Sequence, residues 1–190
     1  MAARHYHHLY DGCVLLASSP RPVRLTVALD WVEDAWRRRG METLCAWAEW
    51  PALLRTERLS ETAGAYRPRE ARAYLRRSLD AAVGALLAGE PLVVFPEGYP
   101  NVDPKPTPKV GDEMLPFRRG FARIATVASR ALGVPLPVLP AGLSYRGRRV
   151  RLAFGTPIRV DAQTDVRELA GRVEREVRRL SLPASAARQP

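Results

Sequence analysis

Little in this chain points to disulfides, a signal sequence or a membrane span. Two cysteines occur in 190 residues, Cys13 and Cys45, far apart and at no zinc or redox spacing. That pattern suits a reduced, intracellular setting. No apolar run approaches the roughly 18 residues needed to cross a bilayer. The first residues are rich in histidine rather than basic and then apolar, so no signal-peptide pattern is present. Any membrane contact is expected to be peripheral. Histidine itself is confined to one cluster, His5, His7 and His8. Lysine is nearly missing, and arginine supplies almost all of the thirty cations.

What is present in excess is positive charge. Thirty Lys and Arg face twenty Asp and Glu, for a net +10 and a pI near 10.5. Such a surface attracts polyanions: nucleic acid, anionic lipid headgroups or phosphorylated substrates. Arginine favours bidentate contacts to phosphate, although a GC-rich coding sequence yields the same bias. Basic residues are not interleaved with aromatics and no nucleic-acid-binding motif occurs, so no nucleic acid is expected as partner. With 46% hydrophobic and 26% charged residues, the chain reads as an ordinary globular protein.

Its pattern alternates strands and helices. Residues 9–17 suit a short helix, and 23–29 alternate with β-branched residues as a strand does. Asp30 suits an N-cap, and 31–50 reads as a helix holding all four tryptophans, Trp31, Trp36, Trp47 and Trp50. These could dock in a lipid headgroup layer or pack in the core. Residues 52–56 form a strand candidate. Pro68 opens a long amphipathic helix that Gly89 stops. Residues 91–95 are apolar throughout, as a buried parallel strand is. Residues 101–116 form a Pro-rich loop, 117–132 a helix and 136–143 a strand. Gly147 turns that strand into 150–154, a hairpin, and 166–180 form a last amphipathic helix. The expectation is one α/β domain over 1–182, a mixed and mostly parallel sheet flanked by helices, with a loose tail at 183–190.

Two constellations carry chemistry. Phe95-Pro96-Glu97-Gly98 sits at a strand's carboxyl end, where ligands collect in open α/β sheets. Glu97 enters a loop there, and Gly98 lets the backbone approach a ligand closely. The second is the histidine cluster before Asp11. A carboxylate beside an imidazole fixes its tautomer, and the free ring nitrogen can take a proton from a hydroxyl. A metal site on His5, His7 and Asp11 is the competing reading, and it lacks further ligands.

Phe95-Pro96-Glu97-Gly98 resembles the third motif of the PlsC-like glycerolipid acyltransferases, written FPEGTRS. Histidine then Asp11 resembles their first motif, His-x4-Asp, and Leu53-Leu54-Arg55 their second. Phe117-Arg118-Arg119-Gly120 resembles the segment after the third motif, residues 134–141 the fourth, and Phe154-Gly155-Thr156-Pro157 the usual close of the domain. The resemblance implies a glycerol-3-phosphate acyltransferase-like fold. It implies transfer of a fatty acyl group from acyl-CoA or acyl carrier protein to a hydroxyl of a lysophospholipid, in phospholipid biosynthesis. It implies a histidine base oriented by aspartate, carried here to His7 and Asp11. Glu97, Gly98, Arg55 and Arg118 would bind the acceptor. No metal or organic cofactor is implied. The expected location is cytoplasmic, on the inner face of the cell membrane against anionic lipid.

The departures are specific. Position 6, five before Asp11, is Tyr6, so His7 gives one residue fewer than the motif and His5 one more. The separation of four favours His7 if both residues share a helix face, with His5 and His8 as alternatives. Only Met1 to Arg4 precede the cluster, where the family has a strand. FPEG continues with Tyr99-Pro100-Asn101, so the arginine associated with an acceptor phosphate is missing; either Lys105, Lys109, Arg118 or Arg119 replaces it, or the acceptor need not carry a phosphate. The loop before Phe117 is long enough to form a lid. A degenerate, binding-only acyltransferase fold and a nucleic-acid binder are the rival readings.

Overall fold

The computed structural model describes residues 1–60 and 64–182. The tail expected to be loose, 183–190, lies outside the described residues. In chain order the elements are β1 (Ala2–Ala3), α1 (Tyr10–Ser18), β2 (Arg24–Leu25), β3 (Val27–Ala28), α2 (Ala35–Trp47) and β4 (Ala52–Leu53). There follow α3 (Pro68–Leu87), β5 (Leu92–Val93), α4 (Gly120–Leu132), β6 (Leu136–Val138), β7 (Pro140–Arg146), β8 (Arg149–Phe154), β9 (Ile158–Val160) and α5 (Val166–Ser181). The fold is mixed α/β, as the alternating pattern predicts. The chain divides into two compact units, Val23–Leu92 and the segments on either side of it, Met1–Pro22 with Val93–Pro190.

The discontinuous unit is built on β7. β1 pairs with it in parallel, Ala2 opposite Pro140 and Ala3 opposite Ala141. Ala3 also donates to the Val94 carbonyl at 3.0 Å, and Val94 donates to that of Met1. Ala2–Ala3, ahead of the histidines, therefore form a strand between Val94 and Pro140, where the family has one. β8 returns antiparallel along β7 through the expected hairpin, and β6 pairs antiparallel with β9. The amphipathic stripe of α5 buries Leu169, Ala170, Val173 and Val177 against Phe121, Ala122 and Ala125 of α4. α5 also lies directly on β7 at Gly142, where a Cβ would fall 2.5 Å from Leu180 backbone. Only glycine permits that approach.

The continuous unit pairs β3 with β4 in parallel. Its core gathers Leu29, Val32, Cys45, Leu54, Tyr66, Ala71 and Tyr74. α3 starts at Pro68 as expected, and the Glu70 carboxylate closes its first turn by accepting from the Arg67 N–H at 2.7 Å. α2 is shorter than the 31–50 predicted, and Asp30 does not cap it. The Asp30 carboxylate instead holds the Arg55 guanidinium at 2.7–3.0 Å, with both side chains nearly fully buried.

Candidate active site

The site residues of the discontinuous unit converge on the Asp11 carboxylate, which is 0% exposed. Helix α1 begins only at Tyr10, so residues 5–9 are not helical, and they wrap around that carboxylate. Oδ2 accepts the backbone N–H groups of Tyr6 and His7 and lies 3.1 Å from Nδ1 of His5. Oδ1 accepts from the Tyr145 hydroxyl at 2.6 Å. A buried carboxylate needs such donors to stay ionised. A carboxylate can only accept, so Nδ1 of His5 carries the hydrogen between them, and in the neutral imidazole Nε2 is then the acceptor nitrogen.

His5 is held on every side. Its ring stacks on Phe95 at 4.4 Å between centroids. Its N–H donates to Oε1 of Glu97 at 2.7 Å, and its carbonyl accepts from Nζ of Lys109 at 2.7 Å. Its side chain remains 16% exposed, which leaves an edge open to solvent.

The sequence reading chose His7 to pair with Asp11, and the geometry gives that pairing to His5. Only the backbone of His7 reaches Asp11. The choice of His7 assumed helical spacing, and the helix has not yet begun there. The His7 imidazole caps α1 instead. Its Nδ1 accepts from the N–H groups of Leu9 at 3.2 Å and Tyr10 at 3.3 Å, and its ring stacks on Tyr10 and His8. Burial first, and then the neighbouring His8, lower its pKa from the ordinary 6.5. The sign follows from linkage: a histidine whose folded pKa is depressed supports the folded form fully above about 6.5 and loses that support as pH falls through the folded value. Protonation would remove the lone pair that caps the helix. Amide protection factors at Leu9 and Tyr10, corrected for the intrinsic pH dependence of exchange, should therefore fall below about pH 6.5, in step with the His7 ring titration followed by NMR.

Glu97 was expected to touch the acceptor, but its carboxylate is turned inward and 1% exposed. It accepts from the His5 N–H, from the Leu115 N–H at 3.1 Å and from the Lys109 ammonium. Lys109 spends its other protons on the His5 carbonyl and on Oδ1 of Asn101 at 3.0 Å. An ammonium has three donors, all taken here, so Lys109 cannot serve a substrate phosphate. Asn101 also ties the Pro-rich loop to itself through the carbonyls of Gly111 and Glu113. Val102 exchanges backbone bonds with Tyr6 and His8. The long loop is thus a clamp on the histidine segment rather than the lid expected.

Gly98 and Arg118 do stand together. Gly98 has φ +78°, and a Cβ there would meet the Arg118 guanidinium at 3.2 Å. The side chain of Arg118 lies over that glycine and over the Tyr99 ring, in an exposed residue. It brings a cation against the FPEG turn that the following sequence lacks. Arg55 belongs to the continuous unit and is bound there by Asp30.

Tyr145 escaped the sequence reading altogether. It lies 134 residues from Asp11, beside a hairpin turn, with no spacing that links the two. Among the described residues no group of three or more His, Cys, Asp or Glu is gathered as a metal site requires.

Residues 53–144 match the family model described as Acyltransferase. That segment belongs to the PlsC-like acyltransferase family. The acyltransferase match includes Arg55, Glu97, Gly98 and Arg118; the His5–Asp11 pair lies before it, and Tyr145 one residue after it. No curated protein and no solved structure matches the chain. The family match is thus to residues 53–144, and the pairing of His5 with Asp11 rests on this chain's own geometry.

Proposed function

We propose that this acyltransferase moves a fatty acyl group from acyl-CoA or acyl carrier protein to a hydroxyl of a lysophospholipid or related lipid. The observation that carries the reading is the partly exposed His5 ring held by the buried Asp11 carboxylate, with Nε2 of His5 left to accept a proton. Nε2 takes the proton of the acceptor hydroxyl as its oxygen attacks the thioester carbonyl. The tetrahedral intermediate collapses, the C–S bond breaks, and the departing thiolate takes the proton from Nε2. Asp11 stabilises the imidazolium between these steps and stays ionised. No metal or organic cofactor enters the scheme.

A lipid acceptor and a net charge of +10 favour work at an anionic membrane surface. Among the described residues no helix is long and apolar enough to cross a membrane. We read the enzyme as peripheral, on the cytoplasmic face of the cell membrane. Arg118 is the cation best placed for an acceptor phosphate.

The test is transfer from radiolabelled acyl-CoA, and separately from acyl carrier protein, to a panel of lysolipids with the product identified. Absence of transfer from both donors to every acceptor would sink the reading. Arg118→Ala should raise KM for phosphate-bearing acceptors by about 10–100-fold, the loss of one charged hydrogen bond. It should leave unphosphorylated acceptors unchanged.

A further inference from the structure

Four tryptophans were read from the sequence as either core or membrane-facing, and the structure divides them. Trp50 packs against the core of the continuous unit. Trp36 is 71% exposed and Trp47 82%. A tryptophan left that far in water forgoes most of the burial that its size allows. Both lie on α2, eleven residues and so about three turns apart, which sets them on one face at a separation of about 16 Å. Between them the same face carries Arg39, Gly40 and Thr43, all exposed, with exposed Leu44 beside them.

We propose that this outward face of α2 is the surface by which the protein lies on an anionic bilayer. The inference rests on the reading that the acceptor is a lipid. Charge selects the occupant. None of the residues on that face is acidic. The helix's own acid, Glu42, is engaged elsewhere, by Arg38 and by the Tyr74 hydroxyl. The cations at the face are exposed Arg39 and Arg37; the Arg37 guanidinium lies 5.3 Å from the Trp36 ring centre and also pairs at 3.4 Å with Asp34, the acid just before the helix, which leaves Arg39 as the main cation for lipid. Indoles with arginines suit the headgroup layer, where ring and cation are both favoured. The small residues between the indoles leave a flat row rather than the central packed cluster of a protein interface. A helix of 13 residues is too short to span the bilayer, so it would lie in the interface plane.

The experiment compares wild type with the double variant Trp36→Ala, Trp47→Ala. Each protein is mixed with vesicles of phosphatidylcholine, with and without phosphatidylglycerol, and quenching by brominated lipid is followed alongside sedimentation. Both side chains are exposed, so the variant should keep the circular dichroism of wild type. Wild type should bind the anionic vesicles, lose binding as salt rises, and show quenched tryptophan fluorescence. The double variant should bind at least roughly tenfold more weakly, with its remaining indoles unquenched. It should retain transfer to a short-chain acceptor in free solution. Equal binding by both proteins would overturn the proposal, as would no binding by wild type. Vesicle binding unchanged while a wild-type dimer becomes monomeric in the variant would assign the face to self-association. Transfer to the short-chain acceptor separates the two readings. If it persists while binding does not involve α2, only the docking surface is wrong; if wild type lacks it, the acyltransfer reading fails.

Discussion

Replacing His5 with alanine should lower the rate of acyl transfer by about 10²–10⁴-fold, the usual contribution of a general base, while His7→Ala leaves it close to wild type. The contrast follows from one carboxylate. Asp11 meets the ring of His5 at 3.1 Å and meets only the backbone of His7. Removing the His5 ring removes the only imidazole whose tautomer Asp11 fixes. Removing the His7 ring removes a cap at the start of α1, for which a loss of about 1 kcal/mol in stability is expected. Initial rates at saturating donor, with circular dichroism to check folding, decide the matter. Equal losses in the two variants would mean that Asp11 orients both rings in turn. A loss confined to His7→Ala would return the base to the position that sequence spacing chose.

Glu97→Ala should cost about 3–5 kcal/mol of folding stability, because it strands a buried cation. The Lys109 side chain is 0% exposed, and Glu97 is its only carboxylate partner among the described residues. Burial already pushes the Lys109 pKa down, and the Glu97 charge is the largest influence holding it up. Without Glu97 the ammonium must lose its proton or draw in water. Against a total stability of about 5–15 kcal/mol the loss is large. Urea unfolding measures it directly. The double variant Glu97→Leu, Lys109→Met removes both charges and should recover much of the loss, since well-packed apolar residues often replace a buried pair without penalty. Activity should fall in Glu97→Ala as well, through the slackened His5 backbone, and should fall in kcat rather than in KM for the acceptor. A stable variant with a raised acceptor KM would instead put Glu97 in contact with substrate.

Both predictions depend on facts that no spacing in the chain reveals. The i to i+4 rule that favoured His7 holds only inside a helix, and the chain curls around Asp11 before α1 begins. Whether Glu97 faces solvent or interior depends on Lys109 and Leu115, which the Pro-rich loop itself folds back onto it. Tyr145 reaches Asp11 only because β7 runs beside β1. The tryptophans divide in the same way: Trp50, beyond the end of α2, packs against the core, and Trp36 and Trp47 on the helix are left outside it.

What the sequence by itself determined was whatever local periodicity and residue chemistry control. The stripe of α5, the breaks at Pro68 and Gly89 and the hairpin at Gly147 were legible because helix and turn preferences act over a few residues; α3 instead buries Ala71, Tyr74, Ser78 and Ala82 and leaves Leu75, Leu79 and Leu87 of its expected stripe exposed. The class of reaction was legible only through the resemblance of the FPEG turn and the histidine–aspartate pair to the acyltransferase motifs. Tertiary structure alone decided which histidine the carboxylate orients, which carboxylate is structural, and which arginine stands over the FPEG turn. Apart from the His5–Asp11 contact itself, those choices are set by contacts between residues from 18 to 134 positions apart. Such contacts form only when the strands are in register and the loop is clamped, and short-range spacing carries no record of them.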